Sequence, residues 1–314
     1  METPSSPIAP ANQEMTFRAA IHVSLLCFLF GANAIAVKVA FKSFGVFSSA
    51  SIRFGVAAAV IALWACLTGR SFRLQRGQGR HLLVFSTLFA IQMSLFYTGL
   101  ERTYVSRGTL LINLLPFVIL ILAHFFIPGD RVTRRKLAGL LLGFSGVVCV
   151  FIEDQGLMGR VRSGDVFVLL ATVVWACNTV YLKRVISTFE PFHIVLYSML
   201  LSLPVFFLEA FFFDAAAIKT ISVEAILALL YQALVSASFG FIVWNSLLKK
   251  YGAVHLHSFI FIMPLVGVYL AGRVLGEPIG PNLLLALVLI VAGLLVVHLN
   301  PPQPFTLPPN RGNM

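Results

Sequence analysis

Charge is what this 314-residue chain has least of: Asp, Glu, Lys and Arg together make up 11% of it, against 59% hydrophobic residues. That ratio, with a mean hydropathy of +0.92, excludes a single water-soluble domain of ordinary surface. Acids are scarcer still, 12 against 23 Lys and Arg, and nowhere form the paired carboxylates that acid-base chemistry needs. The net charge of +11 would suggest a nucleic-acid partner in a soluble protein. Here the basic residues fall in short links between apolar runs, where they set topology, and no nucleic acid is expected. The four cysteines, Cys27, Cys66, Cys149 and Cys177, all lie inside apolar runs without a CxxC or Cys/His spacing, so neither a disulfide framework nor a metal site is implied. No GxxxxGK[ST] loop is present, and no cofactor is expected. The first 18 residues are polar and proline-bearing with no short apolar core or A-x-A site, which argues against a cleaved signal peptide.

What the chain does have is apolar runs of spanning length. Taking a span as about 20 residues, ten are expected, near 19–41, 46–67, 80–100, 104–127, 135–152, 164–183, 191–213, 221–247, 253–275 and 280–299. The links are too short for a soluble domain, so the expected fold class is an all-α integral membrane protein. Placing the N-terminus inside puts fourteen Lys and Arg on that side of the alternating links and seven on the other. This bias predicts both termini in the cytoplasm.

The spans repeat. Asn33 and Lys38 in Ser24 to Lys38 recur as Asn178 and Lys183, 145 residues on, in Leu169 to Lys183. Phe96-Tyr97 matches Val243-Trp244, Pro116 matches Pro264, and Gly146-Val147-Val148 matches Gly293-Leu294-Leu295, at offsets of 147 to 148. A fixed offset means a duplicated unit. Five spans per unit is odd, so the second copy enters from the opposite face and the halves form an inverted-topology pair. The division is residues 1–18 as an N-terminal tail, 19–152 and 164–299 as the repeats, 153–163 as the connecting loop and 300–314 as a C-terminal tail.

Phe30-Gly31-Ala32-Asn33, Tyr97-Thr98, Asn113-Leu114-Leu115-Pro116 and Gly143-Phe144-Ser145-Gly146-Val147 resemble one EamA-type repeat of the drug/metabolite transporter superfamily. Trp175-Ala176, Trp244-Asn245, Pro264 and Leu275-Gly276-Glu277-Pro278 resemble the second. Phe30 stands where that family often has tryptophan, and Gly129-Asp130 where it usually has Gly-Glu. The resemblance implies a ten-helix secondary transporter, commonly an exporter of amino acids, metabolites or drugs, with a central cavity walled by helices 1, 3, 4, 6, 8 and 9.

Candidate site residues are marked by polarity inside the spans. At 100° per residue, Ser24, Cys27, Gly31, Ala34 and Lys38 share a face of the first span, and Thr172, Ala176, Thr179 and Lys183 one of the sixth. Such a face is either a close helix contact with the lysines snorkelling outward or a cavity wall. Asn33 and Asn178, lying deeper, are candidates for substrate contact. Ser106, Thr109, Asn113, Pro116 and His124 share a face of the fourth span, with His257 at the position matching Thr109. Pro116 and Pro264 are expected as paired breaks, hinges or gates. Tyr97, Trp175 and Trp244 add aromatic faces that would suit amphiphilic or zwitterionic metabolites. Lys38, Arg53 and Glu209 are the candidates for charge or coupling, Arg53 through a local ion pair or a substrate anion and Glu209 through a proton or an interfacial pair. A proton or other ion is thus the coupling candidate. Gly139-x-x-x-Gly143 is a close-packing motif, used within the chain or in a homodimer.

The expected function is secondary transport of a small-molecule substrate across the lipid bilayer. A non-transporting lipid scramblase or receptor is the alternative. An intramembrane enzyme is not expected, since His255 and His257 point to different faces and no acid accompanies them.

Overall fold

The computed structural model of the protein describes residues 16–126, 134–151, 162–185, 188–247, 250, 259–260 and 262–298. Among them the chain forms ten helical segments and no strand: α1 (Phe17–Ala40), α2 (Val46–Leu67), α3 (Gln78–Arg102), α4 (Val105–Phe126), α5 (Arg134–Phe151), α6 (Ser163–Val185), α7 (Pro191–Phe213), α8 (Val223–Leu247), α9 (Ile262–Leu275) and α10 (Pro281–His298). These ends lie within two residues of the expected ones, apart from the start of α9, which falls among undescribed residues.

Local chemistry sets several starts. The Thr16 hydroxyl accepts the Ala19 N–H at 3.3 Å, Ser222 accepts that of Ala225 at 3.2 Å, and Pro191 opens α7 with its φ already helical. Segments α1–α4 and α6–α8 are long and apolar enough to cross a membrane, and the described parts of α9 and α10 are shorter apolar helices. Their outward faces carry large apolar side chains such as Leu141, Phe207, Phe211 and Val288, each more than half exposed. A water-soluble surface does not tolerate such a belt, whereas a hydrocarbon solvent favours it.

Packing repeats as the sequence does. The principal pairs are α5–α10, α3–α6, α2–α7, α1–α9, α3–α7, α1–α8, α4–α6, α2–α8 and α4–α9. Exchanging every helix with its counterpart five places away maps this set onto itself. Thus α3–α6 becomes α1–α8, α1–α9 becomes α4–α6, and α5–α10 maps to itself. That is the contact pattern of two like halves interlocked about a two-fold axis. One departure stands out: α1 also packs against α3 and α4, while among the described residues α6 makes no comparable contact with α8 or α9.

Two helices deviate from a regular α-helix within their spans, and a third repeats one of the deviations. α4 is broken by a turn at Asn113-Leu114 into Val105–Ile112 and Leu115–Phe126, with Pro116 in the first turn of the second piece. Proline loses nothing there, because a first-turn N–H has no intrahelical partner. The polar face expected through His124 holds for Ser106, Thr109, Asn113 and Pro116, which are buried, but His124, near the end of the second piece, is exposed. α9 repeats the device, with a turn at Phe259-Ile260 and Pro264 in the first turn of its described part. α8 runs as a π-helix from Tyr231 to Gly240, and nothing in its local sequence announces this.

The motif Gly139-x-x-x-Gly143 is used within the chain. A Cβ on Gly293 of α10 would fall 2.6 Å from the Gly139 carbonyl oxygen and 2.8 Å from the Gly143 nitrogen, so α5 and α10 touch backbone to backbone. Gly293→Ala is therefore expected to cost about 1–3 kcal/mol of stability through overpacking. Gly79→Ala, at a site with nothing within 4 Å, should be neutral. Thermal unfolding of both variants in detergent micelles checks the contrast.

Candidate functional site

The described buried side chains leave four polar atoms without a hydrogen-bond partner among the described residues: Asn33 Oδ1, Thr109 Oγ1, Asn178 Oδ1 and Arg53 Nε. In a protein this poor in polar groups each such atom forfeits hydration without replacement. Asn33 lies in the second half of α1, Thr109 on α4 just before the break, and Asn178 on α6 at the position the repeat pairs with Asn33. The small faces expected around them are buried: Cys27, Gly31 and Ala34 on α1, and Thr172 and Ala176 on α6. Gly31 exists for contact, since a Cβ there would meet the Met263 carbonyl oxygen of α9 at 2.8 Å. Asn113 satisfies itself by donating to the Thr109 carbonyl at 2.7 Å, within the broken turn of α4.

Trp244 sits beside Phe30 at 5.9 Å between ring centroids, in an edge contact that brings α8 against α1. Trp175 is half-buried on α6. Tyr97 is wholly buried and faces Arg53 rather than the asparagines. His257 lies outside the described residues. Of the expected substrate contacts, then, Asn33, Thr109 and Asn178 share one feature, while Tyr97 belongs to a neighbouring cluster.

Lys38 neither snorkels nor points into open space. Its ammonium donates to the carbonyl oxygens of Leu100 at 2.6 Å, Glu101 at 3.0 Å and Thr103 at 3.1 Å, which closes the C-terminus of α3 onto the end of α1. Three donors meet three acceptors at the negative end of a helix, so the charge is fully used. The side chain of the repeat-related Lys183 lies outside what the structure describes.

Around this latch stand charges that the sequence alone does not bring together. The Glu277 carboxylate takes the N–H groups of Val105 and Ser106 at 2.6 and 2.8 Å and the Ser106 hydroxyl at 2.7 Å, capping α4 from the end of α9. Asp214 caps α2 in the same way, through the Phe47 and Ser48 N–H groups and the Ser48 hydroxyl. Arg107, counted among the loop charges, is in α4 and 4% exposed, 2.8 Å from the fully buried Asp165 of α6, which also accepts from the Thr103 hydroxyl. Each contact joins residues more than fifty positions apart, beyond the reach of periodicity or local spacing. At the opposite end the polar links among the described residues include an exposed Arg70–Glu190 pair at 3.4 Å, Gln78 donating to the Thr188 carbonyl, His81 with Tyr181 at 2.7 Å, His193 with the Ser71 carbonyl at 2.8 Å and Tyr197 donating to the Phe72 carbonyl at 2.7 Å.

Glu209 is set apart from all of this. It accepts from Ser94 at 2.8 Å and lines a groove of about 320 Å³ between α3 and α7, whose other walls include Leu83, Ile91, Leu201 and Val205. Those side chains are exposed, so the groove opens on the flank of the bundle. The expected interfacial ion pair is not present among the described residues.

Arg53 is the eighth residue of α2, about 10 Å from its start. Its guanidinium donates to the Tyr97 hydroxyl at 3.1 Å and the Ser236 hydroxyl at 3.5 Å and lies 4.9 Å from the Phe54 ring centroid. Of the two roles expected for it, a local ion pair is excluded among the described residues. A charge at that depth costs about 2.5–3.5 kcal/mol on insertion scales. The residues sequence reading missed here are Gln232 and Ser236 on the π-helical part of α8. Gln232 accepts from Tyr97 at 3.4 Å and donates to the Ala36 carbonyl of α1 at 3.0 Å.

An all-α bundle of two interlocked like halves, with buried unpaired polar atoms on facing spans, defines a membrane protein of the inverted-repeat transporter class. The EamA-like transporter family matches residues 17–152 and again 162–299, and the chain belongs to that family. It is 26% identical over 286 residues to the uncharacterized transporter YyaM of Bacillus subtilis (strain 168), covering 88% of this chain and 92% of that one. It is 27% identical over 282 residues to a probable amino-acid metabolite efflux pump of Escherichia coli (strain K12), covering 87% and 92%. A solved crystal structure matches with a TM-score of 0.67 at 20% identity, over 90% of this chain and 98% of that one, which shows the fold.

Because Arg107 and Asp165 are both enclosed, Asp165→Ala should leave an uncompensated charge and cost about 3–5 kcal/mol. Glu190→Gln, at the exposed pair, should cost no more than about 1 kcal/mol. Thermal unfolding of the two variants in one detergent separates these magnitudes.

Proposed function

We propose that the protein is a secondary-active exporter of small metabolites, amino acids or amphiphilic compounds, working by alternating access through a central pathway between its halves. The observation that carries the reading is the set of unpaired buried oxygens on α1, α4 and α6. Asn33, Thr109 and Asn178 present acceptors that a passing solute with N–H or O–H groups can satisfy, and between solutes they remain costly and unpaired. Tight, permanent binding would defeat transport, and a few neutral acceptors favour passage.

The conformation fits one stage of such a cycle. Lys38 on α3, Glu277 on α4 and Arg107 with Asp165 shut one end, and the contacts of α1 with α3 and α4 lack counterparts around α6. With both termini in the cytoplasm, as the Lys and Arg bias predicts, the shut end faces outward. Opening it means breaking interactions at helix termini while the α5–α10 seam stays closed.

Counterflow of labelled amino acids in proteoliposomes tests the reading. Saturable exchange is expected, and ligand binding without flux would instead indicate a receptor. Asn33→Ala and Asn178→Ala should each slow exchange roughly three- to tenfold, the worth of one or two hydrogen bonds. Lys38→Ala should slow it less, and the reverse order would refute the pathway assignment. Glu209→Gln should keep the wild-type dependence on an imposed pH gradient, because that carboxylate opens on the flank; loss of the dependence would make it the proton carrier.

A further inference from the structure

We infer that Arg53, with the hydroxyls of Tyr97 and Ser236, forms a subsite for the carboxylate of an amino acid or related monocarboxylate. The inference rests on the transport reading above and names the chemistry of one end of the solute.

Arg53 is 2% exposed and lies inside a membrane span, yet the groups its guanidinium donates to are neutral hydroxyls, at 3.1 and 3.5 Å, and its Nε has no partner among the described residues. A structural arginine at this depth is expected on a carboxylate or on backbone carbonyls. Acids of the bundle are engaged elsewhere: Asp214 on the N-terminus of α2, Glu277 on that of α4, Asp165 on Arg107 and Thr103, and Glu209 on Ser94. Lys38 is the instructive contrast, because its three donors are all spent on carbonyl oxygens. Arg53 keeps a fork of donors held by long bonds, and a planar fork of that kind is matched by a carboxylate.

Its position joins it to the proposed pathway. Tyr97 donates to Gln232, and Gln232 donates to the Ala36 carbonyl, less than one turn beyond Asn33 on α1. Arg53 is thus tied, through Tyr97 and Gln232, to the helix that carries Asn33. The repeat supplies no second copy, since the matching residue on α7 is Ser198, buried and bonded to its own helix at Val195. One cation in one half gives the pathway a single anion subsite and so a fixed solute orientation. In the present conformation the guanidinium is closed over by the two hydroxyls. Exchanging a neutral hydroxyl for a carboxylate would then accompany the opening of the Lys38 end.

The test is counterflow into proteoliposomes of the full chain, using the proteinogenic L-amino acids, the carboxamide of each one that exchanges, and uncharged solutes of similar size. Wild type should exchange the acid about tenfold or more faster than its carboxamide, the difference a charge-assisted pair supplies. Arg53→Gln should lower the acid far more than the carboxamide and so close the ratio between them, and Arg53→Lys should retain part of the preference. Should Arg53→Gln fail to give a monodisperse protein on gel filtration, Ser236→Ala and Tyr97→Phe replace it, each expected to narrow the same preference. Equal rates for acid and carboxamide in wild type, or an equal loss of both in Arg53→Gln, overturn the subsite and leave the transport reading standing. Exchange of uncharged solutes alone has the same effect. Exchange of no solute sinks the transport reading and the subsite with it.

Discussion

The four helices of the first half that meet at the Lys38 end all have a charge of the correct sign on their termini there. Cations sit on the C-termini, Lys219 on the Phe41 carbonyl after α1 and Lys38 on the last carbonyls of α3. Carboxylates sit on the N-termini, Asp214 on α2 and Glu277 on α4. Helix ends are where an apolar bundle cannot satisfy itself, since the first N–H and last C=O groups have no intrahelical partner. Three of these four charges come from the second half, so satisfying the ends of one half is the same act as joining it to the other. With so few charged residues in the chain, assigning four of them to this task shows how strongly the bilayer penalises an open terminus.

The same scarcity gives meaning to what is left unsatisfied. In a soluble protein an orphaned amide oxygen is diluted among many polar groups. Here Asn33, Thr109 and Asn178, with the Nε of Arg53, stand out among described residues whose other buried polar groups are engaged, down to Asn113 and Thr172 bonding to their own helices. The tightly packed seam of α5 and α10 is the opposite extreme, glycine against glycine, with Arg135 at its end donating to the Val296 carbonyl at 2.9 Å. One region is built to stay closed, and the other is built from groups that gain by meeting something new.

The spans and their duplication were legible because each rests on local information: runs of apolar residues and recurring residues at constant offset. Pro116 and Pro264 marked the breaks in α4 and α9 because proline acts on its own backbone. Lys38 was misjudged for an equally physical reason. A lysine near a helix end can snorkel, line a cavity or cap a neighbour, and only the position of α3 decides. Arg107, Asp165 and Glu277 were invisible as a group, since the sequence separates the partners by 58 to 172 residues. Tyr97 was singled out from its match with Trp244, yet the two do different things, because the repeat copies backbone position and not the residues that surround it.

The π-helical stretch of α8 alters how the two halves can be compared. A wider turn holds more residues per rise than an α-helix, so a residue can be added inside a membrane span without lengthening it. Matched residues drift from 145 positions apart on α1 and α6, Asn33 and Asn178, to 147 on α3 and α8, Tyr97 and Trp244. The two halves therefore share an architecture while their third helices differ in backbone, regular in α3 and widened over Tyr231–Gly240 in α8, so one repeated plan yields two unlike walls.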